Sequence, residues 1–328
     1  MRKPAELGMS KSKLIKLAKF LGGFGCVTRN GYIVYTWGHP KTPTDVASAG
    51  KVFLSHFVFK AVEQGLIPSL DSPVSDFEPA LKNLDREIGH KDARITWRQM
   101  IYQTSGYGQT EEPGAAFDYD DFATQMLWRV LFTKVYKRQP DHIGQEVLAP
   151  LLTKPMQCED EVSYHHEKDG VHLGRFIISP RDFCRFGLLY MHEGNWNGQQ
   201  LLDRTMARMA VSTPLPSSLP RTKNQHDEML PGQQSIGTDS NQEDHLGSYS
   251  CMWWVNGLDK NGGRLWPDAP PDTYGAFGYG GNRAMVVIPG MGIVASWTKT
   301  ELLPTDMSTD GKTNMNNVIG MLVQAAQP

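Results

Sequence analysis

The sequence has few of the features that mark membrane, disulfide-rich or nucleic-acid-binding proteins. No apolar run reaches the roughly 18 residues of a membrane span, and no apolar segment follows Arg2 and Lys3 as it would in a signal peptide. The 33 basic and 35 acidic residues nearly cancel, so nothing favours a nucleic acid partner. Only 4 cysteines occur in 328 residues, without C-x-x-C spacing, which argues against a disulfide framework. We expect a cytoplasmic globular protein.

Motifs of several enzyme classes are also missing. The chain has no G-x-S-x-G elbow, no H-E-x-x-H, no P-loop and no G-x-G-x-x-G after a strand. His165-His166-Glu167 suggests a metal site by composition, but adjacent residues do not face one point, and a solvated loop is the better interpretation. The acidic cluster Asp118, Asp120 and Asp121 would need a further carboxylate across a cleft to act on sugars. The sequence therefore implies no metal and no organic cofactor.

The order of the elements predicts one sheet assembled from both ends of the chain. A hairpin at Asn30-Gly31 and an apolar, hence buried, helix over 48–64 come first. Strands return only at 248–255, 282–288 and 292–298, before a last helix over 313–326. The pattern predicts an α/β fold with these parts: a sheet domain of residues 1–65 and 248–328, and a helical domain of residues 66–247 that ends in a long exposed loop, 213–247.

The element Ser48-Ala49-Gly50-Lys51 is the first candidate for chemistry. Three residues are nearly one helical turn, so the hydroxyl and the amine lie on one helix face. A lysine in a partly dry site can serve as base for the hydroxyl. About one S-x-x-K match is expected by chance in a chain of this length, and Ser10 to Lys13 is a second one. Ser48 opens the buried helix, whereas Ser10 precedes a lysine-rich one, and this context favours Ser48.

Two later segments carry residues that suit the same reaction. Tyr119 lies in Tyr119-Asp120-Asp121, and a tyrosine beside a Ser–Lys pair can pass a proton from the serine to the leaving group. The segment 278–283 (GYGGNR) opens a strand, where small residues allow close approach of a bound acyl group and a backbone N–H can stabilise an oxyanion. Taken singly, such a tyrosine is usually a packing residue and such a group of glycines before a strand is usually a turn.

Together and in this order, these elements resemble the serine β-lactamase and penicillin-binding-protein superfamily. The resemblance is closest to the branch of class C β-lactamases, DD-peptidases, family VIII carboxylesterases and nylon-oligomer hydrolases. Thr104-Ser105-Gly106 and the segment 179–189 also fit, and the likeness runs from about residue 24 to the C-terminus. It implies a β-lactamase/transpeptidase-like α/β (α+β) fold: an antiparallel sheet flanked by helices, with an inserted helical domain and the active site between them.

The resemblance also implies roles for individual residues. Ser48 would be the nucleophile, Lys51 its neighbour, and Tyr119 the tyrosine of the Y-x-N element. Tyr279-Gly280-Gly281 stands where the family has K-T-G or H-x-G. The oxyanion donors would be the backbone N–H groups of Ser48 and Asn282.

Two positions depart from the family pattern. Asp121 replaces the usual Asn, and a carboxylate near Lys51 would favour the ammonium, which leaves Tyr119 as the better base. Tyr279 replaces the usual Lys or His, which removes a cation for a substrate carboxylate and favours neutral substrates; Arg283 is a second source of positive charge.

The leading hypothesis is hydrolysis of a small ester or amide through an acyl-enzyme on Ser48. The first alternative is β-lactamase or D-amino-acid peptidase or amidase activity, with a lactam or amide as substrate. The second alternative, motivated by Asp121 and Tyr279, is a non-catalytic binding protein that keeps the fold.

Overall fold

The computed structural model describes residues 1–165, 174–233, 241–300, 302 and 309–326, with the backbone alone described at 309–313. Of the segments discussed above, His166-Glu167 and part of the loop 213–247 lie outside the described residues.

Seven α-helices and twelve strands are described, along with 3-10 turns and two π-helical segments, Val130–Val135 and Gly144–Thr153. The helices are α1 (Lys11–Leu21), α2 (Lys51–Glu63), α3 (Trp97–Ile101), α4 (Asp121–Arg129), α5 (Pro180–Met191), α6 (Arg204–Ser212) and α7 (Thr309–Ala325). The strands are β1 (Phe24–Arg29), β2 (Tyr32–Trp37), β3 (Thr44–Asp45), β4 (Ser163–His165), β5 (Arg175–Ile178), β6 (Asn195–Trp196), β7 (Gln199–Gln200), β8 (Tyr249–Ser250), β9 (Trp253–Val255), β10 (Tyr274–Gly278), β11 (Arg283–Ile288) and β12 (Ile293–Thr298).

The main sheet joins both ends of the chain, as the sequence predicts. Its strand order is β2-β1-β12-β11-β10-β9-β8, and every neighbouring pair is antiparallel. The β1–β2 hairpin turns at Asn30 (φ 49°) and Gly31 (φ 79°), the left-handed conformations that Asn-Gly adopts readily. Cys26 of β1 pairs with Ser296 of β12, which locks the N-terminal hairpin to the C-terminal strands.

Helices pack around this sheet through apolar faces. In α1 the buried residues are Leu14, Leu17, Ala18 and Leu21, and its N-cap Ser10 donates its N–H to Ala325 of α7. Helix α5 lies so close to the sheet that a Cβ at Gly187 would approach Val294 Cγ1 to 2.6 Å. Helix α2 is buried along nearly its whole length, which fits its continuous apolar sequence. Residues at the N-terminus of α2 are therefore held in rigid surroundings. Among the described helices none is long and apolar enough to cross a membrane.

The structure corrects the sequence-based assignment in four places. The segment 66–247 is not purely helical, because β4 and β5 form a small sheet with β3, and α5 packs on the main sheet. Strand β10 was missed, because its sequence YGAFG carries two glycines and lacks alternation. The segment 248–255 is two strands, since Cys251 and Met252 have positive φ. The loop 213–247 is exposed only in part: many of its described residues face solvent as expected, but Leu230 is 1% exposed and anchors the segment on the protein.

Candidate active site

Ser48 lies in a tight turn immediately before helix α2. Residues Ala47–Gly50 form a 3-10 turn, and α2 itself begins at Lys51, so the helix starts three residues later than the sequence predicts. Ala47 has a left-handed backbone (φ 48°), and its N–H donates to Asp45 Oδ1 at 2.6 Å. A non-glycine residue in this conformation needs such support, and strained backbone of this kind is often found at functional sites.

The Lys51 side chain connects Ser48 to Asp121. Lys51 Nζ lies 3.5 Å from Ser48 Oγ and 2.9 Å from Asp121 Oδ1. Lys51 is 5% exposed, whereas the Asp121 side chain is 36% exposed. Helix α4 positions Asp121 as its first residue, with Asp120 as the N-cap that accepts the Ala123 N–H. Two segments 70 residues apart thus meet through one ion pair.

Tyr119 completes this group from the segment before α4. Lys51 Nζ lies 4.6 Å from the centroid of the Tyr119 ring. The ring is 7% exposed and packs against Tyr249 and Trp254, with centroids 5.9 and 6.1 Å away. The loop 213–247 reaches the same place, because Gln242 donates its N–H to the Tyr119 carbonyl. The structure therefore brings Ser48, Lys51, Tyr119 and Asp121 together.

The charges in this group are set by burial and pairing. Burial alone would lower the pKa of Lys51, but the negative charges of Asp121 and of a Tyr119 phenolate outweigh it, so its pKa lies above the ordinary value. The Lys51 ammonium in turn holds the pKa of Asp121 below its usual range, despite burial of that carboxyl. Lys51 is consequently an ammonium at neutral pH, as the sequence predicts for a carboxylate at position 121.

At neutral pH burial keeps Asp120 from carrying its full negative charge, whereas Asp118 stays largely ionised. Burial raises the pKa of Asp120 well above its ordinary value, with the charge of Asp118 adding to the effect. Burial likewise raises the pKa of Asp118 to about 6, and its carboxylate accepts a hydrogen bond from Gln109 Nε2 at 2.8 Å. Asp121 is therefore the principal anion beside Lys51.

Gln103, which the sequence analysis did not single out, fixes the segment around Tyr119. Its amide nitrogen donates to the Asp120 carbonyl (3.2 Å) and to Thr124 Oγ1 (2.9 Å), and its amide oxygen accepts from the Tyr249 hydroxyl (3.2 Å). Its own carbonyl accepts the Asp118 N–H. Gln103 is 2% exposed, so each of these bonds is protected from water. The only sequence signal was its place directly before Thr104-Ser105-Gly106.

Strand β10 reaches the Ser48 turn at Gly278. A Cβ there would lie 2.5 Å from the Val46 carbonyl oxygen and 3.1 Å from the Ser48 nitrogen, so only glycine fits. Residues Tyr279, Gly280, Gly281 and Asn282 form the turn to β11, and Tyr279 is 61% exposed with Arg283 5.1 Å over its ring.

The Asn282 N–H, which the family resemblance suggests as an oxyanion donor, already has a partner in this structure. This N–H donates to the Tyr279 carbonyl at 3.1 Å and closes the turn. The Gly281 carbonyl in the same turn accepts a hydrogen bond from Trp297 Nε1 at 2.8 Å. The sequence could not show this, since it does not reveal which residue of a glycine-rich turn ends the strand.

Comparison with known proteins identifies the family. A model described as Beta-lactamase matches residues 12–316. This chain belongs to the Beta-lactamase family. The match confirms the resemblance seen in the sequence and the β-lactamase/transpeptidase-like fold. No curated protein matched the sequence.

Several solved structures are similar to this chain in fold. A penicillin-binding-protein homologue from Caulobacter crescentus is 12% identical, with 96% of this chain and 97% of that chain covered and a TM-score of 0.63. A D-stereospecific amidohydrolase from a Streptomyces species is 14% identical (88% and 93% covered, TM-score 0.54). A mutant simvastatin synthase from Aspergillus terreus is 15% identical (99% and 98% covered, TM-score 0.64). At these identities the likeness shows a shared fold.

Arg175 is a further residue of the candidate site in this Beta-lactamase family member, and the sequence did not indicate it. Strand β5 runs beside the Ser48 turn, with the Val46 N–H donating to the Phe176 carbonyl at 3.2 Å. Arg175 and Trp128 line a crevice of about 20 Å³ with Ser48 and Lys51, which is room for one water. The positive charge of Arg175 also contributes to the low pKa of Asp121. No grouping of acids, histidines and cysteines among the described residues could hold a metal ion.

Proposed function

We propose that this protein is a serine hydrolase that cleaves small esters or amides through an acyl-enzyme on Ser48. The observation that carries the proposal is the contact of Lys51 Nζ with Ser48 Oγ (3.5 Å) and Asp121 (2.9 Å), with the Tyr119 ring beside it. Lys51 and Tyr119 are buried and Ser48 and Asp121 are partly exposed, so the nucleophile is held in one geometry at the entrance of a buried helix and still faces the surface.

The proton path follows from the charge of Lys51. An ammonium cannot accept a proton, so Tyr119, as phenolate, takes the proton of Ser48 while Oγ attacks the acyl carbon. The resulting phenol gives this proton to the departing oxygen or nitrogen. Water then loses its proton to the phenolate and attacks the acyl-enzyme, and Ser48 leaves as the hydroxyl. Lys51 and Tyr119 thus share the transfer: Lys51 supplies positive charge, and Tyr119 carries the proton.

The developing oxyanion needs two N–H donors, and strand β10 suggests the second one. The first is the Ser48 N–H in the turn before α2. Gly278 lies against this N–H, so we assign the second donor to Tyr279, the next residue, in place of Asn282. Losing one such donor typically costs about 10²- to 10³-fold in kcat.

A fluorophosphonate probe tests the nucleophile. The wild-type protein should take up one label, and Ser48→Ala should take up none. Ser10→Ala is the matched control, because Ser10 belongs to the other S-x-x-K element but caps α1 with its hydroxyl near the Lys13 N–H (3.4 Å). Equal labelling of Ser48→Ala would refute the assignment. Turnover of short-chain aryl esters that disappears in Ser48→Ala would exclude a purely binding role.

Arg175 supports a second candidate, hydrolysis of carboxylate-bearing lactams or of peptides that end in a D-amino acid. With Lys51 and Asp121 neutralising each other, Arg175 is the further cation among the described residues that line the crevice beside Ser48. Side-by-side turnover of neutral aryl esters, a chromogenic cephalosporin and peptides that end in a D-amino acid separates the two candidates. A preference for the neutral esters supports the first, and a preference for the carboxylate-bearing compounds supports the second.

A further inference from the structure

The charges of this chain are unevenly distributed along the sequence. Residues 1–21 contain 6 basic residues and 1 acidic residue, whereas residues 22–328 contain 27 basic and 34 acidic residues. The first segment therefore has a formal charge of +5 and the remainder −7, although the whole chain is close to neutral. An asymmetry of this kind indicates an interaction with an anionic partner.

Helix α1 places the lysines of this segment on its outer face. Its apolar stripe is buried within the fold, at Leu14, Leu17, Ala18 and Leu21. Lys11, Lys16 and Lys19 are exposed. Phe20 is 46% exposed although it is a large apolar residue, and it lies one helical turn after Lys16 on the same outer face. The outer face of α1 is thus a surface distinct from the stripe that packs in the core.

The protein does not neutralise these lysines itself. Within the described part of the chain, Lys11, Lys16 and Lys19 form no ion pair. Helix α7 and strand β2 pack on α1, and neither residues 314–325 of α7 nor Tyr32–Trp37 of β2 include an acid. The positive charge of this face can therefore act on a partner outside the chain.

The segment before α1 extends the positive surface along the edge of the main sheet. Arg2 donates its N–H to the carbonyl of Ile33 in the edge strand β2, at 2.9 Å. The Arg2 guanidinium lies 5.2 Å from the centroid of the Tyr32 ring, which is 48% exposed. Lys3 is also exposed. Because α1 packs on β2, these residues adjoin its lysines, and we call the whole surface the basic face: Arg2, Lys3, Lys11, Lys16, Lys19, Phe20 and Tyr32.

Five cations beside two exposed aromatic rings fit an anionic lipid surface. Clusters of roughly four to eight basic residues on an amphipathic helix are typical of binding to acidic lipids. Aromatic side chains among them can enter the boundary between headgroups and acyl chains. A nucleic acid would also attract the lysines, but it would leave Phe20 without a role. The acidic remainder of the protein would be repelled by the same lipids, which orients the basic face toward them.

We propose that the basic face docks this protein reversibly on an anionic membrane surface. The cations supply the attraction to the acidic headgroups, and the Phe20 ring enters the outer layer of the membrane. The proposal does not depend on the chemistry at Ser48.

Co-sedimentation with lipid vesicles tests the basic face. The wild-type protein should bind vesicles of equal parts phosphatidylserine and phosphatidylcholine but not vesicles of phosphatidylcholine alone, and added salt should weaken binding by screening. Replacing Lys11, Lys16 and Lys19 together with glutamine should weaken binding by about a hundredfold, because each lysine near such a surface contributes about fivefold. Arginine at the same three positions keeps the charge and should preserve binding.

A second triple variant controls for net charge. Lys134, Lys154 and Lys260 are exposed lysines of other segments, so replacing them together with glutamine changes the net charge equally and should leave binding close to wild type. Phe20→Ser tests the apolar part of the contact. It should weaken binding by up to about tenfold at every salt concentration, because burial of an apolar ring is not screened.

Several results would overturn the proposal. Equal binding to the two kinds of vesicle would remove the role of acidic lipid. Wild-type binding by the α1 glutamine variant, or an equal loss in both glutamine variants, would exclude the basic face as the docking surface. A DNA duplex bound as tightly as the anionic vesicles, with unchanged binding by Phe20→Ser, would make the partner a nucleic acid. Ser48→Ala should bind vesicles like wild type, which keeps this outcome distinct from the fate of the proposed hydrolysis.

Discussion

Replacing Asp121 with asparagine should shift the pH dependence of Ser48 reactivity to lower pH. Asp121 is the principal anion beside Lys51, and its charge opposes loss of a proton from either Lys51 or Tyr119. Removing that charge makes deprotonation of this pair easier whichever of the two groups gives up the proton. The sign of the shift therefore does not depend on which residue is the base.

The size of the shift follows from the ion-pair distance. At 2.9 Å two unit charges interact by about 6 kcal/mol at an effective dielectric constant of 20, and by about 1.4 kcal/mol in water. Because the Asp121 side chain is 36% exposed, solvent screening places the effect toward the lower value. About 2 kcal/mol corresponds to roughly 1.5 pH units.

The rate of fluorophosphonate labelling between pH 5 and 10 measures this shift. The midpoint of the rising limb should fall by about 1.5 units in Asp121→Asn, whereas Asp121→Glu, which keeps the charge, should stay close to wild type. An unchanged or higher midpoint in Asp121→Asn, with the protein still folded, would show that the carboxylate does not control the pair.

Three further predictions concern parts of the molecule around the site. Gly278→Ala should lower kcat by about 10²-fold or more, because the added Cβ would push the oxyanion strand away from Ser48; Gly144→Ala, whose Cβ meets only an ordinary contact at 3.9 Å, should leave steady-state ester kinetics unchanged. Gln103→Leu should lower kcat by about 10²-fold with little change in KM, since Tyr119 loses its positioning while the substrate contacts remain. If Gln103→Glu lowered kcat and the free energy of unfolding to the same extent, this positioning role would be contradicted. Burial raises the pKa of Asp92 to about 8 beside Lys91, so the folded protein keeps a proton that the unfolded chain releases near pH 4. The free energy of unfolding should therefore fall by up to about 1.4 kcal/mol per pH unit as the pH rises toward 8. Denaturant melts at a series of pH values should show that this free energy falls less steeply with pH in Asp92→Asn.

The sequence predicted the parts of the site that depend on local periodicity. Ser48 and Lys51 are close because three residues nearly complete a turn, and this holds although the turn is 3-10 instead of α. The buried character of α2 also followed from its continuous apolar sequence. The sheet formed by both chain ends followed from where strand patterns appear along the chain.

Residues that reach the site through tertiary packing were not predictable in this way. Arg175 lies on a four-residue strand whose partners among the described residues are short, β3 from a distant segment and β4 from shortly before it, so no local pattern marks it. Gln103 acts through bonds to Asp120 and Tyr249, and a single sequence does not reveal such pairings. The second oxyanion donor depends on where β10 ends, and one residue of difference in a hairpin changes which N–H faces Ser48.

The departures from the family pattern are best understood as one change in charge balance. Asp121 adds a negative charge and Tyr279 removes a positive one, so the net charge of the site is two units lower than in the K-T-G pattern. Arg175 raises this net charge by one unit. If Arg175 binds a substrate carboxylate, Arg175→Gln should lower kcat/KM for a carboxylate-bearing aryl ester by about tenfold or more. The kcat/KM for the neutral counterpart of this ester should stay unchanged. If Arg175 serves only to hold Asp121 in its charged form, both esters should lose activity together and the labelling midpoint should move, because the pKa of Asp121 then rises. The ratio of the two esters therefore separates recognition from support, and it does so without knowledge of the natural substrate.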